Sequence, residues 1–280
     1  MLYVAYQTHA DLMQPLRAFA QLGIDVLGPL VPHENGHNAV RNLTAAYELI
    51  ARSCLTHTRP PYGIDNVRVG NRDLSVSEEP LDVTPFGTLL RFKKDTIVAQ
   101  PKVLVVAPLS GHFATLLRSL VRTMLPDHDV CITDWHNARD VSTAKGRFGF
   151  DDYVAHLIRW YEKLGPPMHT VAVCQPCVQV VTAAAVMAQT GNPAQPCSMT
   201  LMAGPIDTRI NPTTVNELAT GRSIGWFERN LIARVPQRYK GAGRRVYPGF
   251  VQLTAFMSMN IDRHRKAHVD LYEQLARGEV

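Results

Sequence analysis

The sequence predicts an α/β fold: a mixed, mostly parallel sheet with flanking helices. An N-terminal helical extension spans 1–60, the core 61–205 and a partial helical cap 206–280. Three patterns carry the expectation. Four short apolar runs, at 103–108, 130–133, 170–173 and 199–203, alternate with stretches of helical periodicity. Strands apolar on both faces and joined by helices form parallel β-α-β units. Before them come VRVG, LSV and TLLRF, short β-like pieces separated by polar turns, which read as antiparallel hairpin strands.

Taken in order, Leu12, Met13, Leu16, Phe19, Ala20 and Leu22 recur mostly at three- and four-residue spacing, with Gly23 as a stop. Val40, Leu43, Tyr47 and Ile50 repeat that spacing, and the intervening GPLVPHENGHN is turn-rich. After RPPYGID come the hairpin pieces and then the strand VLVVAP. A helix is expected over 112–125, with Phe113, Leu116, Leu117, Leu120, Val121 and Met124 on one stripe. A second covers 151–164, with acids at its start and Gly165 at its end. A third covers 176–190, with Pro176 in its first turn. Beyond 205 the alternation stops. NPTTVNELAT reads as a helix capped by Asn211, and the rest is aromatic, Met-containing and basic. Antiparallel strands followed by parallel crossovers is the order of an α/β-hydrolase.

Composition narrows the function classes. With 46% hydrophobic and 19% charged residues the chain reads as a globular enzyme. The apolar runs are too short to span a bilayer, and the start lacks a basic, apolar, cleavable leader, so a cytoplasmic protein is expected. Five cysteines with one C-x-x-C pair give neither a disulfide framework nor a zinc-ligand set, so no metal is expected. Residues 206–280 hold twelve Lys/Arg against seven Asp/Glu, which accounts for the whole net charge of +5. That surface suits an anionic partner, or it is a solvated lid face. Basic residues are not interleaved with aromatics, so no nucleic-acid partner is expected.

In such a sheet, ligands bind beyond the carboxyl ends of the strands. Cys174 sits there, between the β-branched TVAV and a helix that begins at once, which is the context of a nucleophile elbow. The helix start favours a thiolate and a developing oxyanion. The flanks Ala172 and Pro176 depart from G-x-S-x-G. The alternative is a buried structural cysteine, as Cys131 is expected to be. Backbone amides of Gln175 and Ser110 are the expected oxyanion donors, unless Ser110-Gly111 is only an ordinary turn. His112, Asp134 and Trp135 follow or end strands and are expected to line the pocket, with helix-start or structural roles as the alternatives.

The strings VLVVAPLSGHFATLLR, ITDWHNAR, VAVCQP, GPIDTR, NPTTVNELAT, WFERN, GRRVYPGFVQ and MNIDRH together resemble the intracellular polyhydroxyalkanoate (poly-3-hydroxybutyrate) depolymerases. With PLRAFAQLG and AAYELI, the resemblance covers nearly the whole chain. It implies a cysteine nucleophile at V-C-Q-P, hence Cys174. It also implies an acyl-enzyme from a polyester carbonyl and release to water or to a thiol such as coenzyme A, with no resident cofactor. The expected partner is the polymer or its storage granule; the oligomeric state is left open. In α/β-hydrolase order an acid and a histidine follow the nucleophile. The chain stops at Val280 with no further buried strand after Ala203, so truncation, missing last core strands and weak or absent activity are expected. Asp207, His264 and His268 are the in-chain substitutes to weigh. Two other readings stay open: a non-catalytic granule-binding remnant, and a related acyltransferase or polyester synthase.

Overall fold

The computed structural model describes residues 2–31 and 38–279. Part of the turn-rich segment, 32–37, therefore lies outside the described residues. Helices α1 (Leu2–Leu27) and α2 (Ala39–Ala51) precede strands β1 (Asn66–Val69), β2 (Arg72–Val83) and β3 (Gly87–Lys94). Strand β4 (Lys102–Val106), helix α3 (Arg118–Met124), β5 (Asp129–Trp135), α4 (Phe150–Leu164), β6 (Met168–Val173), α5 (Pro176–Gln189) and β7 (Ser198–Met202) then alternate. Short helices α6 (Thr214–Gly221) and α7 (Ile224–Asn230), two-residue strands β8 (Ala233–Arg234) and β9 (Arg245–Val246), α8 (Gly249–Ser258) and α9 (Ile261–Arg277) follow. The chain divides into two units, Met1–Thr56 with Phe250–Val280, and His57–Gly249.

The larger unit holds a seven-stranded sheet in the order β1-β2-β3-β5-β4-β6-β7. Strands β1, β2 and β3 run antiparallel, and β3 pairs antiparallel with β5. Strands β5, β4, β6 and β7 are mutually parallel. This is the mixed, mostly parallel α/β sheet the alternation predicts. Its centre is dry because β4 and β5 carry apolar side chains on both faces: Leu104, Val105 and Ile132 are fully buried. Each such side chain contributes roughly 1.5–3 kcal/mol of burial energy. On one face, Trp135 meets Tyr153 and Trp160 at ring-centroid distances of 4.3 and 5.1 Å.

Local chemistry moved several boundaries. The helix expected from His112 opens as a 3-10 turn at Ala114–Leu117 and becomes α-helical only at Arg118. Gly111, at φ 83°, and the extended Phe113 keep the preceding residues out of the helix. Helix α6 is capped by Thr213, whose side chain accepts from Asn216 N–H, whereas Asn211 has a left-handed φ of 49°. Strand β7 was expected to be buried; it is the sheet edge, hydrogen-bonded to β6 alone, with Met199 and Met202 exposed. The expected cap is divided as well: its first part, to Gly249, groups with the core, and the rest groups with the N-terminal helices.

In the smaller unit, α1 buries Tyr3 and Ala20, and Tyr6 stacks on Phe250 with centroids 4.1 Å apart. Buried Arg41 of α2 donates to Arg277 O at 2.9 Å, closing the end of α9. No described helix is long and apolar enough to cross a membrane.

Candidate active site

The topology makes one crevice. Strands β4 and β6 are neighbours, yet β4 feeds β5 on one side while β6 feeds β7 on the other. Ligand sites in open sheets form where the connections diverge in this way. Val106 pairs with Ala172, so Pro108 and Cys174, each two residues further on, leave the sheet side by side. The Ser110–His112 turn and the Cys174–Gln175 turn therefore follow neighbouring strands at the same edge of the sheet.

Cys174 joins β6 directly to α5 and has a left-handed φ of 70°. Outside glycine that conformation costs on the order of 1–3 kcal/mol and persists where the surroundings enforce it, most often at active sites. Two contacts enforce it here. The Cys174 N–H donates to Met202 O at 2.8 Å, and its carbonyl accepts from Cys177 N–H at 3.2 Å. The turn leaves the thiol half-buried, at the start of a fourteen-residue helix. Gln175 is the N-cap of α5, and its amide is among those that a helix start leaves without an intrahelical partner. The other cysteine expected to be structural, Cys131, is buried in β5, and burial pushes its thiol up to about 12.

On the other flank, Ser110 is buried and Gly111 turns the chain at φ 83°. A side chain at 111 would stand 2.5 Å from Gly249 O, so the loop is held in place by close backbone approach. Ser110 Oγ lies 3.4 Å from His112 Nδ1. Burial lowers the His112 pKa, with a backbone hydrogen bond at Ser110 partly opposing.

Asp134 and Trp135 project to opposite faces of β5, as adjacent strand residues must. Buried Asp134 receives Arg59 Nε at 3.0 Å, while among the described residues its other oxygen and the buried Tyr62 hydroxyl have no hydrogen-bond partner. Burial raises the Asp134 pKa and Arg59 opposes it. Trp135 donates to Ala107 O at 3.0 Å within the aromatic core. Of the proposed substitutes, Asp207 is held by Arg209 at 2.9 and 2.8 Å, which lowers its pKa. His264 and His268 lie on α9, in the other unit. Among the described residues, no imidazole or carboxylate hydrogen-bonds the Cys174 thiol. Nor do three or more His, Cys, Asp or Glu gather as a metal-ligand set.

Sequence reasoning missed three supports. Gly204, just after β7, presses on the elbow: a Cβ there would overlap Cys177 Cβ and lie 3.2 Å from Cys174 O. Gly249 backs the Ser110 turn. Arg244 donates to Val141, Ser142 and Gly146 carbonyls at 3.1, 2.6 and 2.8 Å, fastening the β8–β9 hairpin to the loop after β5. For Gly204 the available signal was a small residue at a strand end neighbouring the elbow strand; the other two contacts join distant segments. A cavity of 610 Å³ opens beside that loop, lined by His136, Asn137, Lys145 and Lys240 among others. A 780 Å³ cavity lies by Arg72, Lys93 and Lys94, at the far end of the sheet from the crevice.

Comparison with known proteins adds family evidence. No curated protein matches the chain. A solved structure described as "Structure of arylesterase" is similar at 9% identity with a TM-score of 0.34, over 65% of this chain and 56% of that one. The chain thus spans little more than half of that protein's length. Residues 203–280 match the family described as PHB de-polymerase C-terminus. That stretch holds GPIDTR, NPTTVNELAT, WFERN, GRRVYPGFVQ and MNIDRH, five of the strings that carried the resemblance. Over residues 203–280, therefore, the chain is similar to the PHB de-polymerase C-terminus family.

Proposed function

We propose that this protein is a carboxylic ester hydrolase of the polyhydroxyalkanoate depolymerase kind, acting on polymer at a storage-granule surface with Cys174 as its nucleophile. The observation that carries the reading is the left-handed Cys174 at the strand-to-helix turn of the sheet's diverging connections. Attack on an ester carbonyl forms an S-acyl enzyme and expels the alcohol end of the chain. Amides of Gln175 and Ser110 hold the oxyanion. His112 lines the opening. Water or a thiol such as coenzyme A takes the acyl group.

The test is product release from soluble 3-hydroxybutyrate oligomers and amorphous granules, with and without coenzyme A. Wild type should release hydroxybutyrate or its thioester, and Cys174→Ala should not. Equal release by both would sink the cysteine mechanism. The unpartnered thiol favours a second reading, polymer binding without turnover. In that case both proteins would sediment with granules and neither would release product.

A further inference from the structure

The elbow contains a second cysteine that the proposed chemistry does not use. Residues 174–177 read Cys-Gln-Pro-Cys, with the first cysteine between a strand and a helix and the second in the helix's first turn. The Cys177 N–H to Cys174 O bond of 3.2 Å closes this segment as a turn. The ends of such a turn have Cα atoms within about 7 Å. A disulfide needs Cα atoms about 4.4–6.8 Å apart. The Cys177 thiol is fully buried and donates to Ala172 O at 3.4 Å. Its sulfur lies beside the end of β7, 3.7 Å from Met202 O, with Gly204 against it. Cys174 is half-exposed, so an oxidant meets it first.

We infer that Cys174 and Cys177 form a reversible redox pair, in which Cys177 resolves an oxidised Cys174 as an intramolecular disulfide. With hydrogen peroxide as oxidant, the Cys174 sulfur attacks one peroxide oxygen. The S–O bond forms and the O–O bond breaks. The leaving hydroxide takes the thiol proton as water, and the sulfur is oxidised by two electrons to a sulfenic acid. Cys177 sulfur then attacks Cys174 sulfur. The S–S bond forms, the S–O bond breaks, and a second water leaves with the Cys177 proton. A dithiol reverses the bridge. The bridge protects Cys174 from the irreversible sulfinic state. The bridge rests on the turn geometry alone; that it also silences ester cleavage rests on the proposed nucleophile.

The experiment treats the full chain with hydrogen peroxide, alkylates remaining thiols and cleaves after methionine. Residues 169–187 then separate as a peptide whose cysteines are Cys174 and Cys177 alone, away from Cys197. The expected result is a peptide lacking two hydrogens and two alkyl groups, restored by dithiothreitol. In Cys177→Ala, and in Cys177→Ser as a check on folding, Cys174 should instead be trapped by dimedone and pass to a state dithiothreitol does not reverse. If wild-type Cys174 stays alkylatable, or over-oxidises as fast as in the Cys177 variants, the inference is overturned. Both results are read by mass, so they stand apart from whether the protein cleaves esters.

Discussion

Gly204→Ala tests the elbow's support with a single methyl group. The added Cβ would overlap Cys177 Cβ, stand 2.5 Å from its Sγ and 3.2 Å from Cys174 O. Carbon contacts settle near about 3.5–4.0 Å, so β7 and the first turn of α5 must part by roughly 1 Å. Cys177 is fully buried, so it cannot relieve the contact by moving into solvent. Overpacking of this kind costs about 1–3 kcal/mol. Gly204 lies outside the left-handed region, so the effect is steric and not a backbone penalty. If the shift reaches Cys174, a misplacement of about 1 Å slows a positioned reaction by on the order of 10²-fold. Urea unfolding reads the first effect, and release of p-nitrophenolate from a short p-nitrophenyl ester reads the second. Cys177→Gly combined with Gly204→Ala removes the struck side chain and should recover much of both losses. A Gly204→Ala protein within about 0.5 kcal/mol of wild type, acylating at the wild-type rate, would refute the contact between β7 and the elbow.

Three further outcomes are expected. Gly111→Ala carries about 1–2 kcal/mol of left-handed strain before its clash with Gly249 O, so it should slow acylation while leaving iodoacetamide alkylation of Cys174 unchanged, because alkylation builds no oxyanion. Trp135→Phe should cost stability, read by thermal unfolding, without changing acylation; Ala107 O keeps the Tyr153 hydroxyl at 3.1 Å, and a matching loss of rate would return Trp135 to the pocket. His57 and His112 both have pKa values lowered mainly by burial. The unfolded chain therefore binds more protons below the ordinary value of 6.5, and stability should fall as pH drops through it. His57→Gln with His112→Gln should flatten that slope in urea titrations between about pH 5 and 7.

The sheet was legible because β4, β5 and β6 are apolar on both faces, a pattern that solvent-facing elements do not share. The elbow was legible because a β-branched strand meets Pro176 after a single intervening residue beyond Cys174. Other features depend on contacts that no local pattern encodes. Strand β7 reads as buried from its composition, but burial depends on neighbours, and β6 alone pairs with it. Strand β2 runs to Val83 through a polar stretch, because pairing with β3 holds it straight past a register shift at Pro80/Asp82. At the site, sequence spacing could name Cys174, Gln175 and Ser110 but not the glycines that press on them. Asp134 was grouped with the pocket by its place at a strand end, whereas alternation turns it toward Arg59, on a segment far back in the chain.

The most direct measurement is covalent trapping. The full chain is mixed with a p-nitrophenyl ester of 3-hydroxybutyrate, quenched in acid and mapped by mass. The expected result is one hydroxybutyryl group on the peptide spanning 169–187, located at Cys174, absent in Cys174→Ala and formed in Cys177→Ala. Acylation spread over exposed Cys54 and Cys197, with Cys174 unmodified, would contradict the nucleophile and the depolymerase reading built on it.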